Sequence, residues 1–215
     1  RIVREEKYPM TKDIIRQFCD HSSYTSKVLW LVLSCSLMRY GECMQLRKKD
    51  FDTSKKRIII HIPAKIAKIK KGRMTILSKE AQPYVMKRLN SLEDNDLVFT
   101  NSDNPITAKA NAQKVFGSLR RRLFPNLTKY ESGVNKITLH SFRSFGITQV
   151  VRATNDSFAF LLAGQKGYLD QYKRFTQEEM IEDYLKAEPN LMIYPDVNPE
   201  DKTQDEKDKR IDELE

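Results

Sequence analysis

Long apolar runs are missing from this chain of 215 residues. The longest, Val28 to Leu37, is broken by Ser34 and Ser36. It falls short of the roughly 20 apolar residues that a membrane-spanning helix needs. No secretory leader is visible. The chain starts Arg1-Ile2-Val3 rather than with Met, which fits a fragment that has lost an N-terminal piece. Cysteine is scarce: Cys19, Cys35 and Cys43 make no CxxC and no Cys/His pattern. A metal-binding framework is therefore not expected, and the cysteines read as reduced core thiols of a cytosolic protein. The three histidines, His21, His61 and His140, are too scattered for zinc. Internal repeats are also absent.

What the chain has in excess is positive charge, with 38 Lys+Arg against 29 Asp+Glu and a net of +9. The excess is uneven. From Asp196 to Glu215 there are nine acids and four bases, so the remainder carries +14. A body this basic suits a polyanion, most often nucleic acid, with a solvated surface as the plain alternative. Residues 196–215 hold almost no large apolar side chain and read as a charged, flexible tail.

Apolar spacing organises the rest. Thr11 and Asp13 open a helix whose apolar face includes Ile14, Ile15, Phe18 and Cys19. A second helix, about Ser26 to Met38, is apolar all round and so belongs in the core. Arg57 to Ile62 and Met74 to Leu77 read as paired strands, joined by a basic tip from Pro63 to Arg73. Helices are expected from Ser78 to about Leu92, from Lys109 to Leu123, after Thr138, near Ser157 to Ala163 and from Gln177 to Ala187. Leu97 to Thr100 is expected to be extended, and Asn101 to Pro105 a loop.

Three local motifs carry chemistry. Leu37-Met38-Arg39-Tyr40-Gly41-Glu42 sets an arginine at the end of the second helix, with an acid one turn on to hold it. Leu139-His140-Ser141-Phe142-Arg143 puts His140 and Arg143 on one helix face. Leu162-Ala163-Gly164-Gln165 is then followed by Tyr168 and Tyr172. Two guanidiniums can grip one phosphate through forked, charge-assisted hydrogen bonds. A tyrosine hydroxyl can attack that phosphate and hold it covalently.

This order of Arg-x-x-Glu, basic hairpin, His-x-x-Arg, then Gly and Tyr resembles the tyrosine recombinase (phage integrase) family, from about Thr11 to about Pro189. The end of the chain resembles that of several archaeal-type integrases. The resemblance implies a mainly α catalytic domain with a small antiparallel β-sheet (α+β), over residues 1–195, ahead of the tail at 196–215. It implies a site-specific recombinase or integrase that cleaves and rejoins DNA through a 3′-phosphotyrosyl intermediate. Arg39, Arg143, His140 and Gln165 would hold the phosphate, with Glu42 in support. Lys68 would protonate the leaving 5′ oxygen, although Lys65, Lys70 and Lys71 crowd the same tip. Tyr172 would attack, with Tyr168 as its rival.

Gln165 departs from the family, which usually has His there; an amide still donates a hydrogen bond but carries no charge. No metal or nucleotide is needed, because the ester keeps the bond energy. Lys65, Lys70, Lys71, Arg73, Lys114, Arg120, Arg121 and Arg122 are expected on a phosphate-tracking face. The implied partner is double-stranded DNA, with self-association as a tetramer on it. The implied setting is cytoplasmic, at the nucleoid or encoded by a mobile element. Two other readings share these residues: a type IB topoisomerase-like nicking-closing enzyme, and a DNA-binding module of the same fold that has lost the reaction.

Overall fold

The computed structural model describes residues 6–165 and 175–194. Tyr168, Tyr172 and the charged tail lie outside the described residues. Within them the chain forms eight α-helices and one three-stranded antiparallel sheet, the mainly α architecture with a small sheet that the resemblance implies.

Helix α1 (Lys12–Asp20) starts where Thr11 accepts a hydrogen bond from the Ile14 N–H. It packs on α2 (Tyr24–Ser36), which is buried on almost every face. A short α3 (Tyr40–Cys43) follows at once. Strands β1 (Phe51–Asp52), β2 (Ile59–Ile62) and β3 (Arg73–Ile76) pair in that order, with Ile60 opposite both Phe51 and Thr75. The two-residue β1 is too short to show as an alternating pattern. Helix α4 (Ala81–Leu89) is shorter than expected at both ends.

Helix α5 (Pro105–Leu123) starts four residues ahead of Lys109, inside the stretch expected to be a loop. Asn104 caps it and Pro105 takes its first position, where a missing N–H costs nothing. Helix α6 (Leu139–Ala153) begins just past Thr138, as expected. Helix α7 (Asp156–Ala163) is capped by Asn155, and α8 (Gln177–Leu191) by Thr176.

An aromatic cluster ties α1, α2, α5 and α6 together. The Phe18 and Phe116 rings stack at 5.1 Å, and Trp30 and Phe142 at 5.5 Å. Phe142 thereby anchors the turn of α6 that carries His140 and Arg143. Gly146 lets α6 cross the end of α2 closely, since a Cβ there would lie 2.4 Å from the Ser34 carbonyl. Helix α8 closes the other side. Tyr184 donates to the Cys35 carbonyl at 3.0 Å, and Glu188 takes the Arg57 guanidinium in a fork at 2.8 and 2.7 Å. All three cysteines are buried free thiols, and burial raises the pKa of each. Among the described residues, no helix is long and apolar enough to cross a membrane.

Candidate active site

Helix α2 stops at Ser36 because Leu37 adopts a left-handed conformation, φ 57°. For a γ-branched residue this is a strained turn, and Leu37 is fully buried in it. The turn delivers Arg39 to the start of α3 and aims the Leu37 carbonyl at α6. Arg143 donates to that carbonyl through Nη1 and to the Ala163 carbonyl through Nη2 at 2.8 Å. Arg143 is 1% exposed, and its Nε is buried without a hydrogen-bond partner. Burial, then the charges of Arg39 and Arg73, push its pKa down to about 10. The guanidinium stays charged at neutral pH and is held rigidly.

Arg39 is 23% exposed at its side chain and pairs with Glu42 at 3.2 Å. Its Nη2 reaches the Gly164 carbonyl at 3.4 Å. The expected Arg39–Glu42 pair is therefore present, yet Glu42 does more than hold one arginine. Its carboxylate, 2% exposed, also takes both terminal nitrogens of Arg73, at 3.1 and 2.6 Å. It further accepts the backbone N–H of Arg39 at 2.9 Å and that of Lys68 at 3.4 Å. Burial works against the charge of Glu42, but the hydrogen bonds and charges of Arg73 and Arg39 win and hold its pKa below the ordinary value. Arg73, expected on the phosphate-tracking face, turns inward instead. No local pattern marks this pairing, because the two residues stand 31 apart in sequence.

His140 sits at the cleft mouth, exposed as a residue but with its ring partly withdrawn from water. That desolvation, then the charges of Arg143, Arg39, Lys7 and Lys68, holds its pKa below the ordinary value. The imidazole is thus neutral at pH 7, able to accept or donate a proton. The same charges show that Arg39, Lys68, His140 and Arg143 converge from three separate segments. Gln165 follows directly, half-buried, its N–H bound to the Phe160 carbonyl at 2.9 Å.

Lys65, Lys68, Lys70 and Lys71 are all exposed at the hairpin tip. The tip is fastened by the buried Ala67 and by the Lys68 N–H on Glu42. Lys70 is turned back onto the Lys65 carbonyl at 3.2 Å, which leaves Lys68 and Lys71 freer to approach a ligand.

A cleft of about 500 Å³ opens over His140 and Arg143, walled by Tyr40, Gln113, Arg120 and Asn135. Through Arg120 and Asn135 it meets a groove of about 430 Å³ that adds Arg121, Lys129 and Lys136. Lys129 and Lys136 went unrecognised in the sequence, where nothing local distinguishes them. Lys114 is exposed on α5. Arg122 points elsewhere, donating to the His21 carbonyl at 3.0 Å.

The phage integrase family model matches residues 9–158, well over half of the chain. The chain belongs to the phage integrase family. Among solved structures, this integrase-family chain is similar to a XerA recombinase, with a TM-score of 0.58 and 18% identity, over 86% of this chain and 66% of that one. It is similar to a Tn1549 transposon integrase in complex with circular intermediate DNA, with a TM-score of 0.55 and 17% identity, over 84% and 65%. It is also similar to a XerH site-specific recombinase bound to difH substrate in a pre-cleavage complex, with a TM-score of 0.53 and 17% identity, over 84% and 55%. These likenesses are of fold, and the chain spans less than two thirds of the length of these proteins. No curated protein matches it significantly in sequence.

Gly164 has two reasons to be glycine. Its φ is +60°, and a Cβ would lie 2.6 Å from Nε and 2.8 Å from Cζ of Arg73. Gly164→Ala is expected to destabilise the protein by about 1–2 kcal/mol from backbone strain alone, and by more once Arg73 is displaced from Glu42. Urea unfolding checks this; an unchanged midpoint would show that the end of α7 can shift freely.

Proposed function

We propose that the chain cleaves and rejoins DNA strands at specific sites through a 3′-phosphotyrosyl intermediate. The observation that carries this reading is the pairing of Arg39 and Arg73 with the buried Glu42 carboxylate, with the buried Arg143 close enough to feel all three charges, beside a neutral His140 and an exposed Lys68. Three guanidiniums near one carboxylate leave surplus positive charge, and a bound anion would offset both the burial and the repulsion that lower the pKa of Arg143. A phosphate diester is the anion that the resemblance implies, and the basic groove beside the cleft suits the flanking backbone.

In this reading the Tyr172 oxygen bonds to phosphorus while the 5′ oxygen leaves with a proton from Lys68. Arg39 and Arg143 stabilise the extra charge on the non-bridging oxygens, and their rigid mounting means that little reorganisation is needed. His140 bonds a phosphate oxygen or takes the tyrosine proton, and Gln165 donates a neutral hydrogen bond. Attack by a 5′ hydroxyl of another strand reverses the step and frees Tyr172. One ester replaces another at each stage, so no energy source is consumed.

The partner is double-stranded DNA, on which the chain self-associates as a tetramer. Residues 1–195 act as the catalytic domain and 196–215 as a charged tail, in a DNA-associated cytoplasmic setting. Two of the similar structures support the DNA assignment: the Tn1549 transposon integrase, in complex with circular intermediate DNA, and the XerH recombinase, bound to difH substrate.

The direct test is covalent capture on nicked duplexes of randomised sequence, followed by mass spectrometry of the phosphotyrosyl peptide. Absence of any adduct across the pool would overturn the reading. Lys68 has its own test. Lys68→Ala is expected to slow cleavage of ordinary DNA at least about 100-fold, the lower end of the usual contribution of a general acid. It should leave cleavage of a 5′-bridging phosphorothiolate unchanged, because sulfur leaves without a proton. Equal slowing on both substrates would reassign Lys68 to phosphate binding.

A further inference from the structure

The last turn of α7 is held in an unusual way. Three successive carbonyls there accept from three different arginines: Leu162 from Arg73 Nε at 3.2 Å, Ala163 from Arg143 Nη2 at 2.8 Å and Gly164 from Arg39 Nη2 at 3.4 Å. These are the carbonyls that a helix end leaves without intrahelical partners, at the negative pole of its dipole. Two of the three arginines are the phosphate clamps of the proposed reaction. The third, Arg73, comes from β3, is 9% exposed at its side chain, and holds both oxygens of Glu42 as well.

Arg73 therefore touches two things at once. One is the carboxylate that orients Arg39 and fastens the Lys68 backbone. The other is the end of α7, from which the chain runs on to Tyr172. A purely stabilising role explains this poorly. A third guanidinium lowers the pKa of Arg143 by repulsion, and a buried ion pair is often no more stabilising than an apolar replacement. Glu42 also already has a cation in Arg39.

Resting on the recombinase reading above, we infer that Arg73 is a positioning residue for strand cleavage. It ties Glu42, Arg39 and the Lys68 hairpin in register with the α7 end that leads to the nucleophile.

The test uses the full chain, the nicked randomised duplexes and any sequence that the wild type captures covalently. Arg73→Met is expected to reduce the rate of adduct formation roughly 100-fold, the scale for disturbing a preorganised charge cluster. Duplex affinity should change by less than about threefold, because an inward-facing cation releases no counterions on binding. Arg73→Lys should recover roughly tenfold, since an ammonium keeps the charge but cannot span both Glu42 oxygens and the Leu162 carbonyl.

A pH profile separates positioning from mere support. The groups facing Glu42 are Arg39 and Cys43 beside it, the Lys68 N–H on the hairpin, Arg73 on β3 and Arg143 on α6. Without Arg73, burial raises the pKa of Glu42. As pH falls through that raised value Glu42 becomes neutral and releases Arg39, so the variant's rate falls off at a higher pH than that of the wild type. Carboxyl carbon NMR, assigned with Glu42→Gln, should place the titration of Glu42 at the same pH.

A rate for Arg73→Met near wild type overturns the inference, as does a loss that only follows the unfolded fraction and shows no such shift in the acid fall-off. If Arg73→Met does not fold, Arg73→Lys decides, and a wild-type rate and pH profile there would overturn it. No adduct from the wild type on the whole pool overturns the recombinase reading, and the inference with it. A wild-type adduct with an undiminished variant overturns the inference alone.

Discussion

Tyr172→Phe is expected to abolish the covalent protein–DNA adduct completely while duplex binding survives. Phenylalanine keeps the ring but has no oxygen to attack phosphorus. Tyr168→Phe is the matched control and should still form the adduct. Both tyrosines lie outside the described residues, but the ends of their segment do not. The chain leaves the site at Gln165, beside the carbonyls held by Arg39, Arg73 and Arg143, and is next described at Phe175. The Phe175 ring meets Phe158 of α7 at 6.4 Å. Gln165 and Phe175, the described residues on either side of that segment, both lie against α7. Adduct yield on a denaturing gel, with the modified peptide sequenced, distinguishes the two tyrosines. Loss of the adduct in Tyr168→Phe alone would move the nucleophile one helical turn upstream.

Arg143→Ala should reduce cleavage by at least about a thousandfold, because the lost charge matters most where the pentacoordinate phosphorus carries extra negative charge. The sequence motif alone suggests that such a change spares the fold. The structure revises that expectation. Arg143 is buried and serves the carbonyls of Leu37 and Ala163, so alanine leaves a cavity and two unserved acceptors. A stability loss of about 2–4 kcal/mol is expected. Arg143→Lys separates the effects: it keeps the charge, loses the fork, and should retain more stability than alanine while still cleaving roughly 100-fold more slowly. Single-turnover rates measured below the melting temperature of each variant check this. Near-native cleavage by folded Arg143→Ala would remove Arg143 from the reaction.

The sequence by itself determined most elements and both arginine motifs, because those signals are local. Thr11 and Thr138 mark the starts of α1 and α6 within one turn of the apolar positions they introduce. The isoleucines of β2 and the basic tip identify a hairpin over a few residues. The same locality put His140 and Arg143 on one face and Glu42 within reach of Arg39. One local signal is masked by its surroundings: Asn104-Pro105 is a cap followed by a first-turn proline, yet the polar stretch around it reads as loop.

Tertiary structure alone decided the rest. That Arg73 turns inward to Glu42, that Arg122 serves α1 rather than the groove, that Lys129 and Lys136 line the groove with Arg120 and Arg121, and that Arg143 is buried all depend on segments far apart in sequence. A guanidinium reads alike in sequence whether it faces solvent, a phosphate or a buried carboxylate. Its role is settled by which distant carbonyls and carboxylates the packing of α2, β3, α6 and α7 brings within about 3 Å of it.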